Sequence, residues 1–201
     1  MQKDWGTAMP FVKQTLGDLR KTVKNSATVL GFVGLPYTLA TYLIEGGTSK
    51  EYLEIKKMMW NEPKLLHTML EKLAANIGEY ANYQIECGAQ VVQVFDSWAG
   101  SLSPEDYDLF ALPYQKMVVK AIKDKNPNTP VIIYIAKSGA LIERMARSSQ
   151  SPSHSPPPPI FCPSALLLSL ALPRSPCPPA LRPPLAPRLY KARVCGGGKW
   201  R

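Results

Sequence analysis

Acidic side chains stop at Glu143, and the rest of the 201-residue chain carries none. From Ser148 onward seven Lys and Arg stand unopposed, whereas residues 1–147 hold 17 against all 15 acidic residues, so the net charge of +9 belongs mostly to the tail. A basic pI of that origin does not indicate a nucleic-acid partner, because the remainder has no basic stripe, no interleaved aromatic platform and no nucleic-acid-binding motif. Long apolar runs are missing as well. The longest, Ala165 to Leu172, is about half of the roughly 18 residues a membrane span takes. No apolar signal core opens the chain, which starts mid-pattern at Gln2, Lys3, Asp4 and Trp5, so any targeting address is expected to lie outside it. Histidine occurs only at His67, read as a helix-surface residue, and at His154 in the tail, which leaves no metal-ligand set or catalytic triad to build. The four cysteines, Cys87, Cys162, Cys177 and Cys195, are spaced too widely and irregularly for CxxC metal pairs or a compact disulfide framework, and a reducing compartment follows.

What is present is organised around Ala27 to Gly47. A short apolar run, Val29 to Val33, stops at Gly34, passes through Pro36 and restarts at Thr38 with helical spacing that ends in Glu45, Gly46 and Gly47. This is a strand, a turn and a helix, the unit of parallel α/β proteins, and the carboxyl end of such a strand is where these folds place their chemistry. Phe32, Tyr37 and Tyr42 are placed to line that space.

The unit recurs. An amphipathic helix over 11–24 precedes the first strand, and a helix from about Lys50 to Trp60, capped by Thr48 or Ser49, follows the first unit. Pro63 then opens a long helix to Cys87 with Leu66, Leu70, Leu73, Ile77 and Tyr80 at spacings of three and four. The run Ala89 to Phe95 reads as a strand buried on both faces and leads straight into Asp96, Ser97, Trp98, Ala99 and Gly100. Pro104 starts a helix to about Lys125, a third strand covers 131–135, and a last helix begins near Gly139. Strands are expected near 28–33, 90–95 and 131–135, all parallel. At 201 residues the chain falls short of the roughly 250 that a complete (β/α)8 barrel takes, so the expected fold is a partial TIM-type barrel over 1–147.

Beyond Arg147 the composition changes abruptly: residues 148–201 hold 13 of the 20 prolines and no helical or strand periodicity. Proline removes backbone donors and favours extended polyproline geometry, so the tail is expected to lack stable structure. It reads either as a proline-rich ligand for an SH3-like or WW-like groove, or as a disordered or foreign translated segment. The change falls in the middle of a βα repeat, where no domain should end, and this favours the second reading.

The first unit resembles the second signature region of the uroporphyrinogen decarboxylase family. The matching residues are Gly31, Phe32, Gly34, Pro36, Tyr37, Thr38, Tyr42, Gly46 and Gly47. A second match runs through Ala89, Gln90, Gln93, Phe95 to Gly100, Leu102 to Pro104 and Leu112 to Tyr114, and 135–144 is similar to the plant and algal branch. The resemblance covers about residues 9–147.

It implies a (β/α)8 barrel that removes four acetate carboxyl groups from uroporphyrinogen III to give coproporphyrinogen III, in haem and chlorophyll biosynthesis, with no metal or organic cofactor. It further implies a tetrapyrrole substrate, no nucleic-acid or membrane partner, a homodimer at full length, and a plastid location with the cytoplasm as alternative. Carried over residue by residue, Tyr42 and Ser97 resemble the catalytic and substrate-binding hydroxyl donors, and Phe32 and Phe95 resemble the aromatic walls of the macrocycle pocket. Asp96 points to the other side of the strand from Ser97 and reads as structural. The family's Arg-Gln-Ala-Gly-Arg signature, its pyrrole-contacting aspartate and its C-terminal histidine have no counterpart here, so this chain alone is expected to be inactive. The alternatives are a non-catalytic truncated product or mis-joined gene model, and a relative of the zinc-dependent cobamide methyltransferases, which need a His and Cys ligand set that this chain does not show.

Overall fold

The computed structural model describes residues 4–24, 26–47 and 51–148 and the backbone of 166–168, all within one compact unit, Met1–Ala171. Its first elements are α1 (Trp5–Ala8), α2 (Pro10–Val23), β1 (Leu30–Gly34), α3 (Pro36–Glu45), α4 (Leu53–Asn61) and α5 (Pro63–Glu86). There follow β2 (Val91–Phe95), a 3-10 segment (Ser97–Ser101), α6 (Pro104–Phe110), α7 (Leu112–Lys125), β3 (Val131–Tyr134), a short 3-10 turn (Gly139–Leu141), α8 (Ile142–Arg147) and β4 (Leu166–Leu168).

β1, β2 and β3 pair in chain order and in parallel, with Phe32 opposite Gln93 and Val94 opposite Ile133. These are the three strand-then-helix units expected from the sequence. The strands, however, are not buried on both faces. Val33, Val92, Val94, Val131 and Ile133 are buried, whereas their neighbours Phe32, Val91, Gln93, Phe95, Ile132 and Tyr134 are open or half-open. The cause is the layering: α5 packs against β1 and β2, with α7 laid along α5, and the described residues put no second layer on the other face. That other face is the one that carries the candidate site.

Local chemistry explains the element boundaries. Pro36, Pro63, Pro104 and Pro113 all stand in the first turn of a helix, where a missing N–H costs nothing. Pro113 also divides what the sequence suggested was one helix over 104–125, because its ring excludes a continuous helix through Ala111. α4 begins at Leu53, three residues later than expected, after Tyr52 turns through φ 54°. The expected caps Thr48 and Ser49 lie outside the described residues. The free N–H groups of Glu54 and Ile55 donate instead to Glu45 Oε1 from α3, at 2.9 and 3.1 Å.

The last strand is a departure. No stable structure was expected over 148–201, yet Leu166–Leu168 pairs antiparallel with β3, Ile132 opposite Leu167. An edge strand offers a row of unpaired N–H and C=O groups to any extended segment. Residues 165–172 are the longest apolar run of the tail and contain no proline to interrupt a ladder. The remaining tail residues, 149–165 and 169–201, lie outside the described residues.

Candidate active site at the strand ends

Phe32 and Phe95 stand on the open face of the sheet, one on each of two adjacent strands, with ring centroids 6.3 Å apart and planes tilted by 38°. Phe32 is 64% exposed and Phe95 half-buried. The backbone of Phe32 is fixed from behind by Gln84 of α5, whose Oε1 accepts from its N–H at 3.0 Å and whose Nε2 donates to its carbonyl at 3.1 Å. A side chain at residue 31 would put Cβ 2.6 Å from Gln84 Oε1, so the clamp requires Gly31.

Beyond β2 the chain turns at once. Asp96 is fully buried, and both of its carboxylate oxygens are occupied. Oδ1 accepts from the backbone N–H and the hydroxyl of Thr38 at 2.8 and 2.7 Å, and Oδ2 accepts from Gln115 Nε2 at 2.9 Å. Gln115 Oε1 in turn accepts from the Tyr107 hydroxyl at 2.6 Å. Burial pushes the Asp96 carboxyl up to about 6, against the downward pull of its Gln115 and Thr38 donors. Asp96 is the structural residue that strand alternation suggested.

Ser97 opens the 3-10 segment half-buried, with no side-chain hydrogen bond among the described residues. Tyr42, on the exposed side of α3 at 40% exposure, likewise has no partner for its hydroxyl there. The ring of Trp98, the residue after Ser97, meets Tyr42 edge-on at 5.8 Å and Tyr52 at 5.2 Å. Trp98 and Tyr52 were not singled out from the sequence; Trp98 was legible only as the neighbour of Ser97. Tyr37, expected to line the site, instead faces the helical layer, 1% exposed, with its hydroxyl 3.8 Å from Met59 Sδ. It is one residue past Pro36 on the buried side of α3, and the helix turn sends it away from the sheet's open face. His67 is not a free surface residue either: it is half-buried, stacks on Phe110 at 4.8 Å and shares a hydrogen bond with the Tyr114 hydroxyl. A separate apolar hollow of about 410 Å³, lined by Leu43, Met58, Leu65, Met69 and Leu73, includes none of the four candidate residues.

The model of the uroporphyrinogen decarboxylase (URO-D) family matches residues 1–151, three quarters of the chain and every element that carries this site. The chain belongs to that family. It is 58% identical over 142 residues to the uroporphyrinogen decarboxylase of a Synechocystis strain, covering 71% of this chain and 41% of that protein. It is 60% identical over 141 residues to that of Prochlorococcus marinus strain MIT 9215, covering 70% of this chain and 41% of that one. The chain thus spans about two fifths of the length of the curated relatives it matches. A methyltransferase structure from Methanosarcina mazei is similar with a TM-score of 0.60 at 20% identity, covering 70% of this chain and 40% of that one, a likeness of fold alone. These relatives agree with a partial barrel, the architecture that the parallel βα units display.

The buried Asp96 gives a pH signature. Its carboxyl titrates near 3.8 when unfolded and near 6 when folded, so the folded chain binds the proton more tightly across that window. Its contribution to stability is therefore fully present below about 3.8 and lost as pH rises through about 6. At about 1.4 kcal/mol per pKa unit the change is roughly 3 kcal/mol. Asp96→Asn should flatten this dependence: it should cost roughly 1–3 kcal/mol at pH 7, because an amide nitrogen then faces donors, and about 2–3 kcal/mol more at pH 4, where the parent carboxyl is protonated. Urea unfolding from pH 4 to 7 measures it, and parallel curves for the two proteins would show that Asp96 does not titrate there.

Proposed function

We propose that this strand-end face binds uroporphyrinogen and forms part of the site at which the family converts uroporphyrinogen III to coproporphyrinogen III without a cofactor. The reading is supported by two hydroxyls without a hydrogen bond among the described residues, that of Ser97 at the end of β2 and that of Tyr42, whose ring meets Trp98, the residue after Ser97, and by the paired Phe32 and Phe95 rings on the open face of the same strands. A pyrrole protonated at a ring carbon is its own electron sink: the bond from the acetate methylene to the carboxylate breaks, carbon dioxide leaves, the electrons pass into the ring, a second proton adds to the methylene to complete the new methyl group, and the ring carbon gives up its proton to restore the pyrrole. The protein's task is to hold a polyanion with its apolar macrocycle in place and deliver protons. Tyr42 donates to one carboxylate and Ser97 to a second arm, while Phe32 and Phe95 take the apolar face of the ring.

A plastid location and a role in chlorophyll as well as haem synthesis belong to the same proposal. They are supported by the cyanobacterial sources of the relatives. Assembly as a homodimer is supported by the exposed Leu43, Leu53, Trp60 and Leu65 on the helical side.

The reading is tested on the 201-residue chain by titration with uroporphyrin, the stable oxidised macrocycle with the same eight carboxylates. Tyr42→Phe should weaken binding by the worth of a hydrogen bond to a charged group, about 1.5–3 kcal/mol, or roughly 10- to 100-fold. An unchanged dissociation constant removes Tyr42 from the site.

A further inference from the structure

Thr38 and Ser97 lie far apart in sequence, but one side chain ties them together. The Thr38 hydroxyl donates to Asp96 Oδ1 at 2.7 Å and accepts from the backbone N–H of Trp98 at 3.2 Å. The peptide segment that carries Ser97 is therefore held on both sides by a single residue of α3. Tyr42 stands one helical turn beyond Thr38, at i+4, and its ring meets the edge of Trp98. Asp96 is anchored from behind by Gln115 of α7, so the whole clasp is referred to the helical layer. Thr38 itself is fully buried and is not exposed to a ligand on the open face.

We propose that Thr38 is the positioning residue of this site: its hydroxyl, shared between Asp96 and the Trp98 N–H, sets the separation and orientation of Ser97 relative to Tyr42. The inference rests on the reading of Tyr42 and Ser97 as carboxylate donors. A side chain that acts only through stability would lower the folded population and leave the affinity of folded molecules alone. One that positions two donors makes their contributions depend on it.

The test uses the 201-residue chain with Thr38→Val, which keeps the shape and removes the hydroxyl, and Thr38→Ser, which restores it. Uroporphyrin affinity is measured for each, with and without Tyr42→Phe. Thr38→Val should weaken binding about tenfold, and Tyr42→Phe should then cost at least threefold less than it does in the parent chain. Thr38→Ser should return affinity to within about twofold. If Thr38→Val does not fold by circular dichroism, Asp96→Asn, which perturbs the same clasp from the end of β2, is read by the same coupling. Fully additive effects, an unchanged affinity in Thr38→Val, or failure of Thr38→Ser to rescue overturns the inference while leaving the substrate reading in place. A parent chain that binds no uroporphyrin overturns the substrate reading, and the inference falls with it.

Discussion

Replacing Gly100 by alanine should remove most of the stability of the strand-end region. Gly100 sits in the 3-10 segment after β2, where the chain passes against the turn that follows β3. A Cβ there would stand 1.8 Å from the carbonyl oxygen of Ala136 and 3.4 Å from an Ile135 side-chain carbon. The first contact is with backbone, so no rotamer change relieves it; one of the two loops must move. Overpacking in a close-packed region costs about 1–3 kcal/mol when side chains can adjust, and more when main chain must yield, so the expected loss is on the order of 3 kcal/mol or more. The displaced segment is also the one that carries Ser97 and Trp98, so uroporphyrin binding should fall with it. Gly139 provides the comparison, because a Cβ at that position meets nothing within 4 Å. Gly139→Ala should stay within about 0.5 kcal/mol of the parent chain. Urea unfolding followed by tryptophan fluorescence measures both, and equal midpoints for the two variants would show that the loops separate without cost.

Much of this architecture could be read from sequence because its signals are local. The apolar run Val91–Phe95, the first-turn prolines and the helical spacing of Leu66, Leu70 and Ile77 each act within a few residues, and β2, α3 and α5 begin within two residues of their expected places. What failed depended on contacts between distant residues. Val91, Phe95 and Ile132 are as apolar as Val92 and Val94, so composition could not say which face α5 would cover. Tyr37 and Tyr42 are both aromatic residues of one short helix, and only the packing of α3 on α4 and α5 decides that the first is buried against Met59 and the second left open. The Thr38–Asp96 clasp joins residues from two different βα units through side-chain oxygens, for which no periodicity gives a sign. Of the candidate site, the resemblance names Tyr42, Ser97, Phe32 and Phe95 and includes Thr38 and Trp98 among its matched residues, but not the Thr38 hydrogen bonds and the Trp98 ring contacts that join α3 to the segment after β2. β4 was missed because proline content was averaged over the whole tail, whereas pairing with an open edge needs only three consecutive residues with free N–H groups.

The 201-residue chain, assayed for coproporphyrinogen formation beside a full-length cyanobacterial relative, should show no more than about one hundredth of the relative's kcat/KM. The deficit is electrostatic. Uroporphyrinogen brings eight carboxylates, and a face that binds it must supply cations or closely packed donors. Among the described residues, α3 and the loops after β1, β2 and β3 hold a single basic side chain, Lys137, exposed beyond β3 with its backbone at φ 58°. Tyr42 and Ser97 add two neutral hydroxyls. Hydrogen bonds to charged groups contribute about 1.5–3 kcal/mol each, so two carboxylate arms left without a cationic partner lower kcat/KM by on the order of 100-fold or more. Weak uroporphyrin binding without turnover fits this account, because the apolar ring can still settle on Phe32 and Phe95. Added salt should change that binding little, since few opposite charges face each other. Turnover comparable to the relative's would mean that Lys137, Tyr42 and Ser97 suffice for the polyanion and that no further cations are needed.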